Sequence, residues 1–144
     1  HKAIRRQRQM CIRDRPWFGC ACCPSNICRF IPSVPSYIYA VKDKDVYVNL
    51  FMSNDVTLNV GGKKVSLSQT TSYPWNGDIQ LRITHNSAKD FTLKIRIPGW
   101  VRNQVVPSNL YAYTDEFDPS YRVMVNGEEV HADLQDGYFS INRQ

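Results

Sequence analysis

No apolar run in this sequence approaches the roughly 20 residues that a membrane-spanning helix requires. Nor is charge of one sign concentrated where a folded domain would use it. Residues 1–15, HKAIRRQRQMCIRDR, hold six of the 18 basic residues and one of the 13 acidic ones, which leaves 12 of each for residues 16–144. Phosphate attraction has no support in that neutral remainder, so neither nucleic acid nor a membrane is an expected partner. The basic head has neither the apolar core of a secretory signal nor the Ser-rich amphipathic pattern of a transit peptide. It is expected to be non-native or disordered and is set apart from the fold, together with Cys11.

What remains has 42% hydrophobic and 12% aromatic residues across the chain, too many for a disordered tail and enough for about one domain. From residue 37 the pattern has period two. Val56, Leu58 and Val60 alternate with Thr57 and Asn59; Ile79, Leu81 and Ile83 with Gln80, Arg82 and Thr84; Phe91, Leu93, Ile95 and Ile97 with Thr92, Lys94 and Arg96. Val65 and Leu67 with Ser66 and Ser68 repeat it, and each run reads as a half-buried strand. Gly61-Gly62 and Asn126-Gly127 have the composition of tight hairpin turns, and KDKD joins Tyr37–Val41 to Val46–Phe51. Seven to nine short antiparallel strands at this spacing predict a β-sandwich. The final GYFSINRQ reads as a strand with no obvious partner, and truncation is expected at both ends.

The one helical candidate begins near Ser25 as N-cap, runs through Arg29 and is expected to stop before Pro32 and Pro35. Just ahead of it, WFGCACCPSNICRF (residues 17–30) puts Cys20, Cys22, Cys23 and Cys28 into nine positions. These cysteines are expected in a loop entering the helix, where backbone amides favour a thiolate. A disulfide framework suits them poorly, because adjacent cysteines do not bridge comfortably and clustered ones staple nothing distant. Cys20 and Cys28 read as small buried hydrophobes. For Cys22 and Cys23 a metal is the stronger reading, since thiolates are preferred Zn²⁺ ligands and the following proline stiffens the loop. Yet no second Cys or His pair follows, and His85 and His131 are isolated in strand patterns. The residues describe half a metal site.

The run WFGCACCPSNICRF, then DVYVNLFMSN, TSYPWNGDIQLRI and FTLKIRIPGW, in this order and spacing, resembles the bacterial β-L-arabinofuranosidases of glycoside hydrolase family 127. In that family an (α/α) barrel catalytic domain precedes β-sandwich domains, with Cys-Cys-Pro near the barrel's end. The resemblance therefore implies that residues 16–36 are the last loop and short helix of a barrel otherwise absent from this chain. Residues 37–144 would be a mainly β, antiparallel sandwich packing against it. Carried over by motif, Cys22 matches the nucleophile and a zinc ligand, and Cys23 a further zinc ligand. The remaining ligands and the glutamate acid/base belong to upstream barrel sequence, and Glu116, Glu128 and Glu129 do not replace them.

The implied activity is zinc-dependent, retaining release of L-arabinofuranose from an arabinose-containing glycan, with the chain alone expected to be inactive. Trp17 and Phe18 suit a sugar subsite or the packing of the cysteine loop; Trp75 and Trp100 read as sandwich or interdomain packing. Two other classes stay open, a carbohydrate-binding sandwich and a purely bracing one. The compartment, bacterial cytoplasm or periplasm, is not specified by these residues.

Overall fold

The structure is a computed structural model that describes residues 22–88, 90–106, 108–115 and 120–143. It divides into two compact units at Ser36/Tyr37.

Among its described residues the first unit holds a helix, α1 (Cys22–Ser33), and a 3-10 turn over Val34–Tyr37 follows across the boundary. α1 is longer than the sequence pattern suggested at both ends. Pro24 is tolerated because it falls in the first turn, where a backbone N–H has no intrahelical acceptor to serve. Ser25 is therefore not the N-cap; its hydroxyl donates back to the Cys22 carbonyl at 3.1 Å. Pro32 lies inside the helix rather than beyond it. Near this end two serine hydroxyls serve backbone carbonyls of the preceding turn. Ser33 Oγ donates to the Phe30 carbonyl at 2.7 Å, and Ser36 Oγ to that of Ser33 at 2.6 Å.

The second unit holds nine strands among the described residues: β1 (Tyr39–Lys42), β2 (Asp45–Val48), β3 (Asn54–Val60), β4 (Lys63–Thr71), β5 (Ile79–Asn86), β6 (Phe91–Arg96), β7 (Met124–Val125), β8 (Glu128–Glu129) and β9 (Tyr138–Arg143). They form one sheet in the order β1-β2-β6-β9, a second in the order β3-β4-β5, and a β7-β8 ribbon. The hairpin turns sit where the sequence marked them. Gly61 and Gly62 have φ of 56° and 79°, and Asn126 and Gly127 have 54° and 89°, values that a tight turn between twisted strands demands.

The inward face of each sheet feeds one core. Val46 and Val48 of β2 and Phe91 and Leu93 of β6 meet Val60 of β3 and Val65 and Leu67 of β4, with Phe51 and Ala88 beside them. Two sheets sharing one buried layer make a sandwich. Its period-two pattern has a direct cause, since one face of each strand is dry and the other wet. On the wet face, Thr57 Oγ1 and Ser66 Oγ pair across β3 and β4 at 2.9 Å.

Two pairings depart from the sequence-based expectation. β2 runs parallel to β6, with Val46 opposite Leu93, so the first sheet is mixed while every other pairing among the described strands is antiparallel. The last strand also has a partner, because β9 lies antiparallel to β6 with Ile95 opposite Phe139. The partner lies some 45 residues upstream, beyond the reach of hairpin logic.

Candidate active site

Cys22 and Cys23 occupy the first described turn of α1, on the helix and not in a loop before it. Their sulfurs lie 3.8 Å apart, and both thiols, like that of Cys28, are free and exposed. Two sulfurs bound to one tetrahedral zinc at about 2.3 Å each stand about 3.8 Å from one another. The pair thus has the spacing of two ligands on a single ion. Among the described residues no group of three or more His, Cys, Asp and Glu side chains is arranged to hold a metal.

Cys28 is not the buried hydrophobe that was expected. α1 buries no residue at all, so none of its side chains has a dry environment to occupy. Asn26 and Arg29 are likewise exposed. Cys11, Trp17, Phe18, Cys20 and Glu116 lie outside the described residues.

One feature of this helix escaped the sequence reading. Ile27, Phe30 and Ile31 are 55%, 61% and 61% exposed and follow the i, i+3, i+4 spacing of a single helical face. That spacing is visible in the sequence alone. An apolar stripe left to solvent is a surface that normally meets a partner.

Polar residues of the second unit have local roles. His85 Nε2 pairs with Ser87 Oγ at 2.7 Å, and His131 Nε2 stands 3.8 Å from Glu129 Oε1. Glu128 and Glu129 form the exposed edge pair β8. Asp45 accepts from Lys94 Nζ at 2.7 Å, which holds its carboxyl below the usual carboxylate range. Trp75 does not pack into the sandwich. It is 92% exposed at the tip of a turn secured by Trp75 N–H donating to the Ser72 carbonyl and Thr71 Oγ1 donating to that of Asp78. Trp100, in a 3-10 turn over Gly99–Arg102, is 45% exposed.

A family model described as "Beta-L-arabinofuranosidase, GH127 middle domain" matches residues 45–144. A curated protein of Bifidobacterium longum subsp. longum, a non-reducing end β-L-arabinofuranosidase, is 35% identical over 127 residues, covering 85% of this chain and 16% of its own length. A solved GH127 β-arabinofuranosidase superposes with a TM-score of 0.85 at 60% identity, over 90% of this chain and 20% of the other. A GH127 β-L-arabinofuranosidase from Geobacillus stearothermophilus T6 does so with a TM-score of 0.72 at 35% identity, over 90% and 18%. The chain thus spans about a sixth to a fifth of the length of these relatives.

Proposed function

Because this chain belongs to glycoside hydrolase family 127, we propose that it forms part of a retaining hydrolase that releases L-arabinofuranose from β-L-arabinofuranosides, with Cys22 as nucleophile. The observation that carries this reading is the pair of exposed thiols 3.8 Å apart at the start of α1. A free thiol is mostly protonated near neutral pH and is a weak nucleophile in that form. Bound Zn²⁺, held in part by Cys22 and Cys23, would supply the chemistry that keeps the thiol deprotonated.

The Cys22 thiolate attacks the anomeric carbon, a carbon–sulfur bond forms, and the glycosidic bond breaks with its electrons going to the departing oxygen. Water then displaces the sulfur from the opposite face, so two inversions leave the configuration unchanged. Cys23 holds the geometry of the pair. The acid that protonates the leaving group and later activates water is a carboxyl from outside this chain. The exposed stripe of Ile27, Phe30 and Ile31 supports α1 as the end of a helical domain that covers it.

The test uses a full-length family member carrying this segment. Cys22→Ser is expected to lower turnover of an aryl β-L-arabinofuranoside by at least about 10³-fold with an unchanged circular dichroism spectrum. Undiminished turnover removes Cys22 from the nucleophile role. The 144-residue chain alone is expected to leave the same substrate intact.

A second reading, a sugar-binding sandwich, draws on the 92% exposure of Trp75, since an indole face can stack on sugar C–H groups. Titrating the chain with arabinosides while following tryptophan emission separates the two. No saturable change is expected, and a saturable one lost in Trp75→Ala would favour binding.

A further inference from the structure

The Cys22–Cys23 pair has a geometry that suits one kind of bridge and excludes another. Adjacent α-carbons across a trans peptide stand about 3.8 Å apart. Relaxed disulfides need about 4.4–6.8 Å, and α1 holds this peptide in helical geometry. Joining the two sulfurs directly would require drawing them in from 3.8 Å to about 2.05 Å against that helix. A single atom bonded to both sulfurs needs no such movement. Both thiols are also open to solvent, so a bulky reagent can reach them.

We infer that Cys22 and Cys23 form a vicinal dithiol trap for trivalent arsenicals, which would take the two sulfurs at once and compete with any other ion for them. In the capture of an arsenoxide, R–As=O, two As–S bonds form while the As–O bond and both S–H bonds break. The oxygen and two protons leave as water, and arsenic stays trivalent throughout. Once the first As–S bond exists, the second thiol is held beside it, so closure is intramolecular and release needs both bonds to open. Cys28 lies outside the pair and forms at most a singly attached, readily exchanged adduct. The inference does not rest on the hydrolase reading, because capture requires neither zinc nor sugar.

The experiment uses the 144-residue chain, reduced, with phenylarsine oxide as the probe, and reads intact mass and thiol titre. One phenylarsenic per chain is expected, with the titre falling by two from the five cysteines of the sequence. The adduct should survive excess 2-mercaptoethanol and be removed by 2,3-dimercaptopropanol. Cys22→Ser and Cys23→Ser should each reduce monothiol-resistant adduct at least tenfold, while Cys20→Ser and Cys28→Ser retain it. A stable adduct that persists in Cys22→Ser or Cys23→Ser, or that vanishes in Cys20→Ser or Cys28→Ser, overturns the assignment. So does the loss of only one thiol per arsenic.

Discussion

α1 and the sandwich carry apolar stripes of similar quality and treat them in opposite ways. In the sandwich, Val46, Val48 and Val65 are wholly buried, because each sheet supplies the other with a dry face. On α1, Ile27, Phe30 and Ile31 stay mostly in water. Packing within the chain is therefore concentrated in the second unit, whereas the free, exposed thiols sit in the first. A helix of 12 residues has little stability of its own, since most helical stability comes from a packed face. The sandwich buries its own core, whereas the apolar stripe of the cysteine helix is exposed.

Truncating a core residue tests that contrast most severely. Leu67 lies on β4 in the layer shared by both sheets and is 1% exposed. Leu67→Ala is expected to cost about 2–5 kcal/mol, read as a lower urea midpoint, because the cavity cannot collapse against two sheets at once. A cost below about 1 kcal/mol would mean that the sheets do not share a close-packed layer.

A smaller effect is expected from Gln69, the one polar residue buried among the described residues. Gln69 is 2% exposed and donates from Nε2 to the Leu50 carbonyl at 3.2 Å and the Met52 carbonyl at 2.6 Å. Those carbonyls belong to the segment that crosses from β2 in one sheet to β3 in the other. Gln69→Met keeps the length and removes the donor, leaving the crossing without its clamp. The expected cost is about 1–3 kcal/mol in the same measurement.

Gln69 also marks the limit of what the sequence discloses. Strand positions were legible because alternation follows from one wet and one dry face, and the turns at Gly61-Gly62 and Asn126-Gly127 because few residues accept positive φ. The parallel β2–β6 pairing and the β6–β9 pairing were not, since period two fixes which face is buried but not which strand lies alongside. Gln69 falls in phase with Val65 and Leu67, but period two does not say which backbone carbonyls its amide meets on the inward face. On α1, the Cys-Cys-Pro motif drew attention to the thiols, while Pro32 suggested a stop that the helix runs through. Near its end, serine hydroxyls donate to the Phe30 and Ser33 carbonyls, local bonds that no propensity scale contains.

Acid should erode the sandwich partly through Asp45. Its carboxyl is held low chiefly by the hydrogen bond to Lys94, against a burial effect that works the other way. A depressed carboxyl stabilises the fold above the unfolded value of about 3.9 and stops doing so as pH falls through the folded value. Asp45→Asn is therefore expected to be less stable than the wild type near pH 6, with the difference closing as pH falls well below 4. Urea midpoints across that range check it. The effect should be that of a partly exposed ion pair and smaller than that of Gln69→Met, since the Lys94 and Asp45 side chains are 22% and 30% exposed.

The smallest expected effect bears most directly on the contrast between the two units. Ile31→Ala on α1 removes a side chain that is 61% exposed, so little burial is lost and helix propensity improves. The unfolding free energy of this chain should change by no more than about 0.5 kcal/mol. In a full-length relative whose helical domain covers the stripe, the same change should cost about 2–5 kcal/mol, the range for truncating a buried isoleucine. A substitution silent in the chain and costly in the longer protein would place a covering surface on the face of Ile27, Phe30 and Ile31. Equal and negligible costs in both would leave that face solvated, and the thiols at the start of α1 would then lack the enclosed setting that a sugar-cleaving site requires.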